Sequence, residues 1–192
     1  MDQSLDWFEL AQKASKMQLS GDLVGGLSVT KDNEMHSPVF PNGCAVCEVE
    51  VDPETGVTII KRYVAVDDVG RVINPLIVDG QTHGSIAQGV GQALWEQCLT
   101  DRESGQPLMG SLMDYAIPRA DDLPFFITEL NEVLSPTNPL GIKSGGEGPT
   151  TAALAVVINA IVDALREYGV TDIELPATPH RVWQSIQSSR AV

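Results

Sequence analysis

A chain of 192 residues, 43% hydrophobic and 20% charged, has enough apolar material for a substantial core and does not read as a disordered polymer. Its formal net charge of -14, from 26 acidic against 12 basic residues, argues against a nucleic-acid or anionic-membrane partner, although one buried anion held by backbone amides stays compatible. No apolar run reaches the roughly 18 residues of a membrane helix, and the polar, acidic start has no basic region of the signal-peptide kind.

The first 20 residues carry an amphipathic pattern around Trp7, Phe8 and Leu10, with Ser4 as the expected N-cap. "SGDLVGGLSVTKDNEMHSPVFPNG" follows and reads as a loop or surface arm. Residues 1–40 are therefore expected to form a helix and arm, and residues 41–192 the main domain. "CAVCEVEVD", the turn "PETG" and "VTIIKRYVAVDDVG" predict a β-hairpin. Asn74-Pro75 then opens a helix expected to run to Leu99, interrupted by Gly80, Gly84, Gly89 and Gly91.

Each interior glycine costs a helix roughly 1 kcal/mol relative to alanine, so four need a reason. Gly80, Gly84, Ala87 and Gly91 predict a face without side chains, open to a backbone or a flat ligand. "DRESGQPLMGSLMDYAIPRADDLP" resembles a second hairpin, and "FFITEL" a further strand. A helix is expected from Pro149 to Glu167, ended by Gly169, with a last short helix starting at Thr178-Pro179. The order implies an α+β fold: two antiparallel sheet units packed with helices.

Three cysteines, Cys44, Cys47 and Cys98, make no disulfide framework and suit a reducing, cytoplasmic setting, or a periplasmic one reached with an exported partner. Cys44 and Cys47 are three apart on a strand and face opposite sides, so they form no metal knuckle. Asp67-Asp68 reads as a solvated turn rather than a cation site, and His83 as a structural histidine. Gln81 and Gln88 on the glycine-faced helix could offer donor and acceptor to a polar ligand. In "PLGIKSGGEGPTT", Glu147 sits among Gly145, Gly146 and Gly148 just before a helix. The unpaired N–H groups there favour an ionised carboxylate. Spacing alone leaves two readings: a turn residue complementing the helix dipole, or a buried base facing a ligand.

Three blocks, "RYVAVDDVGRVINPLIVDGQTHGSIAQGVGQALWE", "GSLMDYAIPRADDLPFFITELNEVLSPTNPLGIKSGGEG" and "ALAVVINAIVDAL" with "LPATPHRVWQSI", make residues 40–187 resemble a known region. It is the C-terminal part of the molybdopterin-binding large subunit of the xanthine dehydrogenase, aldehyde oxidase and carbon monoxide dehydrogenase family. The resemblance implies a molybdopterin cofactor, in some members a cytosine dinucleotide, and places the family's base on Glu147, which takes a proton from a metal-bound hydroxide. It makes Gln81, Gly84, Gln88, Gly89, Lys143, Ser144, Gly145 and Gly146 the cofactor contacts. The substrate implied is an aldehyde or N-heterocycle. The partners implied are the rest of the large subunit, an iron–sulfur subunit and a flavin subunit, the clusters and FAD residing only there. "KSGGEG" departs from the usual "KGVGE" but keeps the glutamate. Family large subunits are several times longer, so two possibilities follow: a split large subunit contributing cofactor contacts and base, or a non-catalytic truncated module without cofactor.

Overall fold

The structure is a computed structural model that describes residues 4–190 apart from Asp22, Leu23, Gly25, Val29, Asn33 and Met35. Those six positions of the expected arm lie outside the described residues. The chain divides into two compact units, 1–36 and 37–192.

The first unit holds α1 (Trp7–Lys16), which buries none of its residues. Its N-cap is Asp6 rather than the expected Ser4, because the Asp6 carboxylate accepts from Glu9 N–H at 2.7 Å. Glu9 in the first turn and Lys13 and Lys16 in the last complement the helix dipole.

In the second unit, β1 (Asn42–Val51) and β2 (Thr58–Asp68) form the antiparallel hairpin read from the alternation. Asp52 builds its turn, accepting from Glu54 N–H at 2.9 Å and Thr55 Oγ1 at 2.7 Å. Gly56, at φ 74°, closes it against the carbonyl of Pro179, where any Cβ would collide. A register shift between Glu48 and Val49 marks a bulge in β1. Then β3 (Ile127–Leu130) adds to the far side of β2 in parallel, giving the order β1-β2-β3.

The α+β expectation holds, but the sheet part is corrected. There is one mixed three-stranded sheet in place of two antiparallel units. The second hairpin shrinks to one bridge, Thr100 to Pro107, around a turn organised by Asp101. Its return segment is broken by the Ser111–Tyr115 turn and by Pro118 and Pro124, which cannot donate to a ladder.

Helices α2 (Pro75–Leu94), α3 (Gly148–Ala164) and α4 (Pro179–Arg190) complete the unit. Asn74 caps α2 by accepting from Ile77 N–H at 3.2 Å, and Pro75 fills its first turn. The helix stops at Leu94, short of the expected Leu99, because Trp95 and Glu96 N–H both turn back to Gly91 O. A single 3-10 turn, Arg166–Tyr168, follows α3 and ends at Gly169, whose φ of 79° is the left-handed cap the sequence signalled.

The core lies between the sheet and the helices. Tyr63 and Ala65 from β2 meet Ile86, Val90 and Ala93 from α2, Ala153, Val157 and Ile161 from α3, and Val182 and Ile186 from α4. Each fully buried aliphatic side chain contributes about 1.5–3 kcal/mol of transfer free energy. Phe126 meets Tyr63 edge-on at 5.5 Å. The α2–α3 contact is close because Gly89 has no side chain: a Cβ there would lie 2.5 Å from Thr150 O and 2.6 Å from Ala153 Cβ. Gly80 and Gly84 face open space, whereas Gly91 is buried beside Glu96 and Pro118. The expected side-chain-free face is therefore real at Gly80 and Gly84 and ends there.

This contrast gives a test by urea unfolding. Gly89→Ala should lose about 1–3 kcal/mol through overpacking. Gly84→Ala should be neutral or gain up to about 1 kcal/mol from helix propensity. Equal effects at the two positions would refute the packing assignment.

Candidate functional site

The site grows from the end of β2. Gly70, at φ 66°, bridges to Ile142, and its missing Cβ leaves room for Gly141 O. Arg71 N–H donates to Gly141 O at 3.0 Å and Lys143 N–H to Val69 O at 2.8 Å, so the segment before α3 is laced onto the β2 exit. Asn138 reinforces it, bonding both N–H and C=O of Ile142.

Asp68 sits beneath this lacing, buried rather than in the solvated turn expected from the sequence. Its carboxylate accepts from Gly70 N–H at 2.9 Å and Val133 N–H at 3.0 Å, and pairs with the Lys143 ammonium at 2.5 Å. Burial alone would raise its pKa, but the Lys143 contact and the two amides outweigh that and bring it down to about 2. Asp67 differs. Burial raises its pKa, with Thr82 opposing, and its Oδ2 is buried without a hydrogen-bond partner.

Beyond Lys143 the chain runs close over three neighbours. A Cβ on Gly145 would lie 2.9 Å from Val69, one on Gly146 3.4 Å from Gln81 Nε2, and one on Gly148 3.2 Å from Pro41. Ser85 Oγ on α2 donates to Gly146 O, and Thr150 Oγ1 on α3 donates to Ser85 O at 3.1 Å. Glu147 occupies the N-cap position of α3 but does not cap it. Its side chain is exposed and makes no hydrogen bond or ion pair among the described residues. The expectation of a buried carboxylate is therefore not met within this chain; what is met is a carboxylate on a bare-backbone loop, free to engage something else.

The structure brings Gln81, Gly145, Gly146 and Glu147 together, with Gly84 one helical turn from Gln81. Gln88 lies one turn further along α2 and is exposed, as are Ser144 and Gly84. Gly89 is buried in the α2–α3 contact, and the Lys143 ammonium is engaged by Asp68. The His83 ring lies 5.2 Å from that of Phe125 and 5.4 Å from that of Phe126, and its Nε2 is buried without a hydrogen-bond partner among the described residues. Cys47 is a partly buried thiol, pushed up to about 11 by burial and then by Glu48, which makes it inert. Among the described residues no three His, Cys, Asp or Glu side chains form a metal cluster. Nor is any helix long and apolar enough to cross a membrane.

Next to the loop lies a groove of about 520 Å³ lined by Phe40, Asp67, Val69, Gly145, Pro149 and Ala152 among others. Asp67, with its orphaned carboxylate oxygen, lines this groove, whereas Gln81, Gly84 and Glu147 lie outside its lining.

Residues 2–124 match the model of the molybdopterin cofactor-binding domain family. The chain belongs to that family. It is 32% identical to the carbon monoxide dehydrogenase large chain of Hydrogenophaga pseudoflava, over 97% of this chain and 25% of that one. It is 40% identical to the nicotine 6-hydroxylase large subunit of Paenarthrobacter nicotinovorans, over 82% and 19%. Among solved structures, quinoline 2-oxidoreductase from Pseudomonas putida 86 superposes with a TM-score of 0.69 at 42% identity, covering 72% of this chain and 18% of that one. The reconstituted CO dehydrogenase from Oligotropha carboxidovorans gives 0.74 at 32%, over 78% and 18%. This molybdopterin-binding family member thus spans a quarter or less of the length of these relatives.

Sequence reasoning missed Ser85, Thr150 and the Asp68–Lys143 pair. A serine inside the buried stripe of α2 was a readable signal; the pair was not, because its members lie 75 residues apart.

The pair carries a pH signature. Since the Asp68 pKa is depressed on folding, its stabilisation is fully present above about pH 4, the ordinary carboxylate range. It disappears as pH falls toward about 2. The difference in urea midpoint between wild type and Asp68→Asn should be large at pH 6 and shrink between those limits. A difference independent of pH would contradict the assignment.

Proposed function

We propose that this chain is the C-terminal segment of a molybdenum hydroxylase large subunit, binding part of the molybdopterin cofactor and supplying the catalytic base, Glu147. The observation that carries the reading is the unengaged Glu147 carboxylate on a glycine loop beside the open Gln81–Gly84 face, in a chain of the molybdopterin-binding family. When bound, the molybdenum cofactor supplies the redox centre for hydroxylating an electron-poor carbon.

The chain's own residues bind, orient and move a proton. Gly84 admits a flat ring system to the α2 backbone, and the Gln81 and Gln88 amides offer donors and acceptors to its edge. Ser144, Gly145 and Gly146 bring backbone close to it. Gly89 acts one layer behind, through the α2–α3 contact, and Lys143 by pairing with Asp68. Glu147 accepts the proton on a carboxylate oxygen, a role that needs the group within hydrogen-bond reach of the donor.

The remaining part of the large subunit would close over Glu147, and iron–sulfur and flavin subunits would carry electrons away. The similarity to nicotine 6-hydroxylase and quinoline 2-oxidoreductase, at 40% and 42% identity, supports an aromatic N-heterocycle as substrate, with an aldehyde as the next class. A cofactor-free module is the competing reading, and it draws on the exposure of Glu147 in this chain.

In the complex assembled around this chain, Glu147→Gln should leave molybdenum content unchanged and lower kcat by about 100-fold or more. Near-normal turnover in that variant would remove the base assignment.

A further inference from the structure

Glu147 does not hold itself in place. Its side chain has no partner among the described residues, so the backbone on either side is what ties it to the fold. Two hydroxyls fix that backbone to α2. Ser85 Oγ reaches Gly146 O, immediately before the glutamate, and Thr150 Oγ1 reaches Ser85 O, so the same α2 residue holds the chain on both sides of Glu147.

Ser85 is only 4% exposed, so water does not compete for these bonds. A serine inside a helix ordinarily bonds its own preceding turn or solvent. Here its hydroxyl serves a carbonyl 61 residues away. The neighbouring Gly89, which lets Thr150 and Ala153 approach α2, brings the partners into reach. Close approaches of Gly145 to Val69 and of Gly148 to Pro41 set the loop against the β2 exit and the residue before β1, not against α2.

We infer that Ser85 and Thr150 form a hydroxyl clasp and are positioning residues that fix the direction of the Glu147 carboxylate. This rests on the reading of Glu147 as the base. The clasp acts through geometry: a carboxylate displaced by a fraction of an ångström still allows cofactor to bind, but meets the proton it must take less often. Such misplacement costs turnover rather than affinity, on the order of 10- to 100-fold.

Three variants test it. Ser85→Ala removes one hydroxyl, Thr150→Val removes the other at constant shape, and Thr150→Ser keeps the hydroxyl while removing the methyl. Amide hydrogen exchange over residues 143–152 of the full chain is the first readout, and kcat and KM of the assembled enzyme the second. Ser85→Ala and Thr150→Val should speed exchange in that segment about tenfold or more. They should lower kcat with KM and molybdenum content unchanged, and Thr150→Ser should behave as wild type.

Wild-type exchange and kcat in both hydroxyl-deleted variants would overturn the clasp. So would a Thr150→Ser that matches Thr150→Val, since the methyl would then be the relevant group. Glu147→Gln run alongside separates the two claims. Normal turnover there defeats the base assignment alone, because loop exchange in the hydroxyl variants still decides whether the clasp exists.

Discussion

Two helices approach backbone to backbone only where one of them lacks a Cβ, and Gly89 supplies that absence between α2 and α3. The contact places the N-terminus of α3, and the glycine loop before it, against the middle of α2. Beside it Thr150 reaches Ser85 O, and Ser85 the carbonyl of Gly146. The open face of α2 at Gly80 and Gly84 and the loop bearing Glu147 then become parts of one surface. A glycine that weakens α2 locally thus organises the site globally, as local rules are often broken where function is placed.

The second support is electrostatic. With 26 acidic residues against 12 basic ones, burying a carboxylate would be unfavourable unless it were fully partnered. Asp68 has a cation and two amides, so its charge becomes a tie between the β2 exit, the segment after β3 and the loop leading to Glu147. Asp67, one residue earlier, faces the helix side and keeps an unpartnered oxygen near the groove. Adjacent carboxylates thus do different work because alternation along a strand puts them in different environments. Large apolar side chains such as Leu76, Met113 and Phe125 stand at 81%, 92% and 88% exposure, a surface in keeping with a segment that spans a quarter or less of its relatives' length.

Much of the fold was legible because local rules agreed with the outcome. Alternation gave β1 and β2, Asn74-Pro75 and Thr178-Pro179 opened α2 and α4, and Gly169 ended the run after α3. The second hairpin failed because its apolar return is interrupted by turn chemistry at Ser111 and by prolines. The glycines of α2 looked alike in sequence, yet Gly84 is open, Gly89 is a crossing point and Gly91 packs on Pro118. Only the position of the neighbouring elements separates them. The same holds for Ser85 and Asp68, whose long-range partners lie 61 to 75 residues away in the chain. Family membership was readable from three long blocks, whereas the exposure of Glu147 was not.

The most direct test of a cofactor-binding surface built on the α2–α3 contact is metal analysis of the complex captured through this chain, wild type beside Gly84→Leu. The account predicts stoichiometric molybdenum and pterin with the wild type, and their loss in the variant at unchanged helical content. Captured wild type without molybdenum, or a Gly84→Leu complex with the same metal content, would contradict it.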